Sequence, residues 1–575
     1  MTRSGYPRPL PSQWRLDEER QIACDVGHSS ARKPIVGFLE RMGQQRERVL
    51  ETPLDNAWRL AEELSREKAT DHRRRLAQFF TPPEVARFLA RLASTGRAPK
   101  RILDPGAGTG ILACALTERL TESAHVDAYE IDRDAADLCE QALSHAAKWL
   151  ETERGVTLTF EVRRDDFVLQ NAEYLNPGLY TADVGSKYDV AILNPPYFKL
   201  PKSDPRSMAA QSIVHGQPNI YALFMGCAAS LLEPGGVMVS ITPRSFAAGD
   251  YFRRFRRYLF SMIVPEAIHL FGSRRDAFRG DAVLQENVII RSRRGVPGGS
   301  EVVAVSESEG IADLNASEAR LVPLRDVVDL ASTDITLRIP ANDLDDAVVE
   351  FLRGWTSSLN SLGLLVSTGP LVAFRGMQFL RAEPGPSTVP LLWLHNVKPL
   401  AVRWPAPANG KMQYVASISE SRKLLLPNDR NYVLLRRFTA KEERRRLTAA
   451  PLNRGQLPGD LLGFENHLNY IYRPNAGLSK NEALGLAALL NSALLDRFVR
   501  ISSGHTQVNA SELRTLPLPD SPTIARIGKS LRQREVLIEE LDAVLADIMG
   551  LPSDLAEELH NQPLGLVERG DSFGL

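Results

Sequence analysis

The segment Asp104-Pro-Gly-Ala-Gly-Thr-Gly110 constrains the fold of this chain more than any other feature of its sequence. It follows the short apolar run 101–103 and precedes an apolar stretch with helical spacing that begins at Ile111. Glycines between a strand and a helix let the backbone turn tightly and approach a ligand closely. The pattern therefore predicts the first strand, turn and helix of an α/β domain.

Further apolar runs, separated by helical stretches, continue this pattern to about Arg294. Together they make seven strand candidates, which suit a doubly wound, Rossmann-like and mostly parallel sheet. The candidates are residues 101–103, 126–129, 158–162, 190–193, 237–241, 267–270 and 288–290.

Changes of pattern along the 575 residues indicate five parts. They are a helical extension over 1–75, the α/β domain over 76–300, a connector over 301–349, a mixed α+β domain over 350–520, and a helical segment over 521–575. We expect single helices over 480–500 and 524–549. The apolar stripe of the second is expected to pack on its own domain, with a coiled-coil dimer as the alternative.

The composition, 43% hydrophobic and 24% charged, is typical of soluble globular proteins. No run approaches the length of a membrane span, and the first thirty residues lack the apolar centre of a signal peptide, so we expect a cytoplasmic protein. The four cysteines are far apart and form no C-x-x-C pair, which predicts core thiols rather than a metal site.

Basic and acidic residues balance at 70 each, which excludes a chain that is basic all over. Local arginine clusters are nevertheless present, and they could form a positive face for nucleic acid; a solvated surface is the alternative interpretation. The clusters lie at 253–257, 274–275, 291–294 and 436–446.

A cofactor site is predicted around the glycine turn. Glu130 ends the next strand candidate, 20 residues after Gly110, where a carboxylate suits two ribose hydroxyls. Both dinucleotide enzymes and S-adenosylmethionine enzymes fit this arrangement. Asp104 favours S-adenosylmethionine, because a carboxylate there would hold a cationic amine and repel a pyrophosphate. Asp166, with Phe167 beside it, could accept a hydrogen bond from an adenine amine; a helix cap is the alternative.

The tetrapeptide Asn194-Pro-Pro-Tyr197 follows another strand candidate and carries the chemistry. The Asn194 amide oxygen and the Pro195 carbonyl can both accept hydrogen bonds from a planar amino group, and the proline ring restricts the direction of the backbone. Tyr197 offers a face on which a base can stack. The motif therefore points to methylation of an amino nitrogen.

In their order along the chain, these motifs resemble the gamma-ordered DNA adenine-N6 methyltransferases of restriction-modification systems. Phe80-Thr-Pro82 comes first, then the glycine turn, Glu130, Asp166 and Asn194-Pro-Pro-Tyr197, and the large carboxyl-terminal half comes last. The resemblance covers about residues 75–300. It implies S-adenosylmethionine as cofactor, double-stranded DNA as partner, no metal, and a target recognition domain over 350–520. It also implies a cognate restriction endonuclease encoded separately.

The resemblance further implies a role for each residue of the cofactor site. Phe80, Thr81 and Pro82 would close over the methionine end of the cofactor, and Asp104, Gly106 and Gly108 would lie beneath it. Glu130 would bind its ribose. Asp166, Ile131 and Phe167 would contact its adenine. Core packing is the alternative for Ile131 and Phe167.

The catalytic residues implied by the resemblance are Asn194, Pro195, Pro196 and Tyr197. The target adenine would rotate out of the duplex and lie between Tyr197 and a second aromatic side chain. Phe246 is the candidate for this second aromatic, with Tyr251 and Phe252 as alternatives.

Other substrates share the Asn-Pro-Pro-Tyr motif, which also occurs in RNA methyltransferases and in enzymes that methylate glutamine amides of release factors. The large carboxyl-terminal half disfavours a protein substrate. A noncatalytic DNA-binding subunit is the remaining alternative, and the presence of both the motif and the glycine turn counts against it.

Overall fold

The computed structural model describes residues 51–561, apart from 68–79, 95, 176–187, 272–286, 329, 331–334, 407–409, 440–444, 476, 503–507 and 535–537. Most of the expected extension 1–75 therefore lies outside the described residues, as does Cys24. The cysteines that are described, Cys114, Cys139 and Cys227, are buried free thiols, as predicted. No helix within the described ranges is both long and apolar enough to cross a membrane.

The first domain is built on one nine-stranded sheet. Its strands are β1 (Arg101–Pro105), β2 (Ala124–Tyr129), β3 (Leu158–Arg163), β4 (Tyr188–Leu193), β5 (Leu232–Pro243), β6 (Ile263–Phe271), β7 (Asn287–Arg294), β8 (Val302–Ser308) and β9 (Ala319–Pro323). Their order is β3-β2-β1-β4-β5-β7-β6-β8-β9. Neighbours from β3 to β5 are parallel, whereas β7 is antiparallel to both β5 and β6.

All seven predicted strands are confirmed, and they form the expected doubly wound, mostly parallel α/β sheet. The sheet has two more strands than predicted, because β8 and β9 extend it into the segment expected to be a connector. Both faces of the central strands are covered: Leu103 and Leu193 belong to one apolar cluster, and Ile102 and Ile192 to the other. Strands buried on both faces give nearly continuous apolar runs, which explains why the sequence revealed them.

Helices cover the two faces of this sheet and the segment after it. They are α1 (Pro53–Glu67), α2 (Pro83–Ala93), α3 (Ile111–Thr117), α4 (Arg133–Arg154), α5 (Phe167–Gln170), α6 (Pro205–Ala209), α7 (Ile220–Leu231), α8 (Arg253–Phe260), α9 (Leu324–Val327) and α10 (Asp343–Leu352). Helix α7 packs in the cluster of Leu103, and α2 and α3 pack in the cluster of Ile102.

The second domain mixes short strands with helices, as expected. Its strands are β10 (Leu365–Thr368), β11 (Leu380–Arg381), β12 (Thr388–Leu392), β13 (Val397–Lys398), β14 (Ala401–Val402), β15 (Tyr414–Ala416), β16 (Leu425–Pro427), β17 (Tyr432–Arg436), β18 (Ala449–Leu452), β19 (Leu461–Phe464) and β20 (Leu468–Tyr472). They form a four-stranded sheet, β10-β20-β17-β18, a five-stranded sheet, β11-β15-β12-β19-β16, and the two-stranded ribbon β13-β14.

Both long helices expected in the carboxyl-terminal half are broken. The helices there are α11 (Lys480–Leu490), α12 (Ala493–Ser502), α13 (Ala510–Arg514), α14 (Ser521–Arg534), α15 (Leu541–Met549) and α16 (Ser553–Asn561). At the first break, the Asn491 amide bonds both the nitrogen and the oxygen of Ala449 on β18, at 3.1 and 2.7 Å. The second contains a 3-10 turn, Ile538–Glu540. Ile527 and Leu541 are buried in their own domain, so the expected packing mode is confirmed.

Buried hydrogen bonds join the segment after β5 to later parts of the chain. Arg256, which is 1% exposed, donates to the carbonyls of Phe246, Gly249 and Ile335. Arg244 donates to the carbonyl of Ile501 on α12. The segment after β5 is therefore held directly against the carboxyl-terminal half.

Candidate functional site

The candidate site is a cavity of about 430 Å³ at the carboxyl ends of the parallel strands. The glycine turn follows β1, and Glu130, Asp166 and Asn194 come shortly after β2, β3 and β4. Because the carboxyl ends of parallel strands lie at the same edge of a sheet, residues far apart in sequence meet there. The predicted residues on the cavity wall are Phe80, Thr81, Gly106, Gly108, Glu130, Ile131, Asp166, Phe167, Asn194, Pro195, Pro196 and Tyr197.

The glycine turn lies against the cavity in a conformation that side chains disfavour. Gly106, Gly108 and Gly110 have φ angles of 73°, 56° and 82°. A Cβ atom on Gly106 would lie 3.2 Å from the ring of Phe224, another residue of the wall. A side chain at Gly106 would therefore strain the backbone and crowd the cavity.

Glu130 holds the turn against the end of β2. Its Oε2 atom accepts a hydrogen bond from the Gly108 nitrogen at 2.9 Å, and its Oε1 atom accepts one from the Asp132 nitrogen at 2.8 Å. Burial raises the pKa of Glu130, whereas these backbone donors act in the opposite direction. The carboxylate is thus oriented before any ligand arrives.

Asp104 lies beneath the turn and is 1% exposed. Its Oδ2 atom accepts a hydrogen bond from the Ala113 nitrogen at 3.0 Å, whereas Oδ1 has no hydrogen-bond partner among the described residues. Burial raises the pKa of Asp104 to about 7. Neither Asp104 nor Pro82 is among the described residues that line the cavity wall.

Asp166 is both a helix cap and a wall residue. Its Oδ1 atom accepts a hydrogen bond from the Leu169 nitrogen at 3.0 Å, which caps α5. Its Oδ2 atom lies 3.5 Å from Nη1 of Arg206, which also lines the cavity. Sequence reasoning missed Arg206, because 40 residues separate it from Asp166 and no motif marks it. Phe224 on α7 also lines the cavity.

The side chain of Asn194 is hydrogen-bonded at both ends. Its Nδ2 atom donates to the Thr81 hydroxyl at 3.0 Å, and its Oδ1 atom lies 2.6 Å from the Tyr197 hydroxyl. The same hydroxyl lies 3.0 Å from the Ile241 carbonyl, so two acceptors compete for one proton. Burial raises the pKa of Tyr197 well above its ordinary value, so the phenol stays protonated and can donate.

The structure contradicts the expectation that Phe246 stacks against the target adenine. Phe246 is 0% exposed and packs edge-on against Tyr221 and Phe255, at centroid distances of 6.4 and 6.0 Å. The chain turns inward after β5, so this ring completes the apolar core. The alternatives Tyr251 and Phe252 are also absent from the cavity wall as the described residues define it.

The residues present fit S-adenosylmethionine. Glu130 offers a carboxylate for vicinal hydroxyls, and Phe167 and Ile131 offer apolar surface for an adenine ring. Asp104 has an oxygen beneath the turn that bonds to no other described residue. Within the described ranges, no group of three or more His, Cys, Asp or Glu side chains could hold a metal ion.

Comparison with known proteins places these motifs in context. The family model described as Eco57I restriction-modification methylase matches residues 120–278. The type II methyltransferase M.PstI of Providencia stuartii is 32% identical over 485 residues, which cover 82% of this chain and 92% of the relative. M.BsuBI of Bacillus subtilis is 32% identical over 460 residues, covering 79% and 89%. A tRNA1(Val) (adenine(37)-N6)-methyltransferase of Tolumonas auensis is 33% identical over 147 residues, covering 26% and 53%.

Proposed function

Because the chain belongs to the type II methyltransferases of restriction-modification systems, we propose that it methylates the N6 nitrogen of adenine in double-stranded DNA, with S-adenosylmethionine as the methyl donor. The observation that carries this proposal is that Asn194 and Pro195 line the same cavity as Glu130 and Asp166. A DNA substrate places the activity in the cytoplasm, and a separately encoded restriction endonuclease would share the recognised site.

The cofactor would be held by the predicted wall residues together with Arg206 and Phe224. Glu130 would bind the ribose hydroxyls, Asp166 the adenine amine, and Phe80 and Thr81 would cover the methionine end. S-adenosylmethionine supplies an electrophilic methyl group when it is bound. We propose that Asp104 attracts the cationic amine of the cofactor from beneath the glycine turn. It would do so through the oxygen atom that bonds to no other described residue.

Asn194 and Pro195 would prepare the target nitrogen. The lone pair of adenine N6 is delocalised into the ring, which makes it a poor nucleophile. The Asn194 Oδ1 atom and the Pro195 carbonyl would accept the two N–H hydrogens and stabilise the positive charge that develops on the nitrogen. Removing one oxyanion-hole donor typically lowers kcat by about 10²–10³-fold, and we expect a loss of similar size for one of these acceptors.

Tyr197 would supply the surface that receives the extruded base. Unstacking and unpairing a base costs a few kcal/mol, and stacking on an aromatic ring recovers about 1–3 kcal/mol per base. Since Phe246 is buried, Tyr197 is the aromatic residue of the motif that we propose for this contact. The ring of Tyr197 is partly exposed, as this role requires.

RNA is a second candidate substrate, because the Tolumonas auensis relative is named for an adenine of a tRNA. That likeness covers 26% of this chain, whereas the likeness to M.PstI covers 82%. The proposal therefore favours DNA, and it includes residues 350–520 as the target recognition domain.

Transfer of labelled methyl groups to unmethylated duplex DNA, RNA and cell-extract protein, followed by nucleoside and amino-acid analysis, tests the proposal. We expect N6-methyladenine in DNA, lost in Asn194→Ala and retained in Asn561→Ala, a matched change of an exposed asparagine outside both the cavity and residues 350–520. Isothermal titration should show that Asn194→Ala still binds the cofactor. Label in RNA or protein alone, or N4-methylcytosine in DNA, would overturn the proposal.

A further inference from the structure

Several arginines of the clusters visible in the sequence are engaged in hydrogen bonds or ion pairs within the protein. Arg256 is buried against three carbonyls. Arg291 and Arg293 both pair with Glu266, at 3.0 and 2.8 Å. Arg274, Arg275, Lys441 and Arg444 lie outside the described residues. Clustering along the chain therefore does not identify the surface that would bind nucleic acid, and that surface must be sought in the tertiary structure.

The ribbon β13-β14 presents two cations on one side. Val397 pairs with Val402, and both contribute to an apolar cluster of the second domain. The Arg403 nitrogen continues the pairing with a hydrogen bond to the Asn396 carbonyl at 2.9 Å. Because successive side chains of a strand alternate between its faces, Lys398 and Arg403 point away from that cluster.

Lys411 joins these cations from the following segment. Its Nζ atom lies 4.9 Å from the centroid of the Trp393 ring, just before the ribbon. The Trp393 Nε1 atom donates to the Met412 carbonyl at 2.7 Å, which fixes the two segments together. Arg403 and Lys411 are exposed, and Lys398 is partly exposed. We call Lys398, Arg403 and Lys411 the ribbon cations.

The surroundings of the ribbon cations are positive. The pKa of Lys398 is lowered by partial burial and then by the charges of Arg436 and Arg403. Partial burial lowers the pKa of His395, and the charges of Lys398, Lys411 and Arg436 lower it further. Among the described residues, no ion pair joins a ribbon cation to a carboxylate. Positive charge gathered without a local counter-charge favours an anionic partner.

The backbone beneath the ribbon cations is rigidly supported. Asn396 is fully buried; its Nδ2 atom donates to the Arg403 carbonyl at 2.8 Å, and its Oδ1 atom accepts from the Trp393 nitrogen at 2.7 Å. The Arg436 Nε atom donates to the Val397 carbonyl at 2.9 Å. Binding an anion here would require little ordering of the backbone, which preserves affinity.

We propose that the ribbon cations bind the phosphate backbone of double-stranded DNA and thereby position the second domain on the duplex. This inference rests on the proposed function, and it identifies a contact surface for that function. Duplex DNA is the partner that best matches several cations on one rigid surface, because its charges follow each other closely along both strands. Such contacts set position and affinity, and they carry no sequence information.

Fluorescence anisotropy with a mixed-sequence duplex, over a series of salt concentrations, tests this surface. Each of Lys398→Gln, Arg403→Gln and Lys411→Gln should reduce the slope of log affinity against log salt by about 1. Lys529→Gln, which removes an exposed lysine from α14, is the matched control and should leave the slope unchanged. The methylated sequence in genomic DNA should be the same for every variant.

The two proposals fail in different ways. If the ribbon variants unfold normally on heating and have the same slope as Lys529→Gln, the proposed DNA contact of the ribbon cations is wrong. This holds even if the wild type methylates DNA. A reduced slope in variants of a wild type that methylates no DNA would support the surface and overturn the proposed function. A reduction seen only with an RNA duplex would overturn the assignment of DNA as partner.

Discussion

The hydroxyl of Tyr197 lies 2.6 Å from the Oδ1 atom of Asn194, so the proposed acceptor for the target amine already has a hydrogen-bond donor inside the protein. The Ile241 carbonyl, 3.0 Å from the same hydroxyl, offers the proton a second acceptor. A base that enters the cavity can therefore donate a hydrogen bond to Asn194 in place of Tyr197. The Tyr197 hydroxyl can then donate to the Ile241 carbonyl. The tetrapeptide thus contains both the catalytic acceptor and a donor that occupies it in the absence of a base.

Removing the Tyr197 hydroxyl should strengthen binding of the extruded base. Tyr197→Phe keeps the ring but frees Asn194, and a typical net hydrogen-bond energy predicts about a threefold to tenfold gain. Tyr197→Ala loses the stacking surface and should bind the base at least about fivefold more weakly. Fluorescence of 2-aminopurine at the target position, once the recognised sequence is mapped, measures both. Weaker base binding by the phenylalanine variant would contradict this account.

Thr81 should act as a positioning residue for Asn194. Its hydroxyl accepts from Nδ2 at 3.0 Å and so turns Oδ1 toward Tyr197. Thr81→Val removes this acceptor, and we expect kcat to fall by up to about tenfold. Thr81→Ser, which keeps the hydroxyl, should retain most of the rate. Cofactor affinity is measured in parallel by titration, and equal losses of kcat in both variants would argue against positioning through the hydroxyl.

Phe246 should matter for stability and not for stacking, because its ring is fully buried. Phe246→Ala should lower the free energy of unfolding by about 3–5 kcal/mol. Phe246→Leu should fold and methylate DNA at close to the wild-type rate. Urea denaturation and methyl-transfer assays on both variants check this. A folded leucine variant with a much weaker extruded-base signal would restore the stacking role.

Asp104 should make stability depend on pH. Its pKa is about 7 in the folded protein and 3.8 as an ordinary carboxyl, so between these values the folded state keeps a proton that the unfolded state has lost. Stability from this group therefore falls as pH rises from about 4 to about 7 and then levels off. Asp104→Asn lacks this fall, so its free energy of unfolding should rise relative to the wild type across that range. Parallel profiles in urea denaturation would refute the assignment.

The core of the first domain was predictable because local pattern and tertiary environment agree there. Strands such as β4 are buried on both faces and so appear as apolar runs in any window of the sequence. The break between α11 and α12 was not predictable, because Asn491 bonds to Ala449, 42 residues earlier. A polar residue within an apolar helical pattern does not reveal such a distant partner.

The residues of the candidate site differ in the same way in how far the sequence could predict them. The wall residues Glu130 and Asn194 could be predicted, because each follows a recognisable strand and parallel strands end at a common edge. Arg206 could not, because only the folded chain brings it to 3.5 Å from Asp166. Phe246 misled because an aromatic after a strand can face the cavity or the core, and only packing decides which. The predicted domain boundaries stay predictions.

The sequence by itself determined the parallel sheet, the glycine turn and the order of the motifs, since these depend on residues that are neighbours in the chain or repeat with a regular period. Only the tertiary structure decided which charges are available. It placed Arg256 and Arg291 in buried hydrogen bonds and ion pairs, and it assembled Lys398, Arg403 and Lys411 from separate positions. Burial and pairing depend on contacts between distant segments, so the number of charges in a stretch of sequence does not predict the charge that a surface presents.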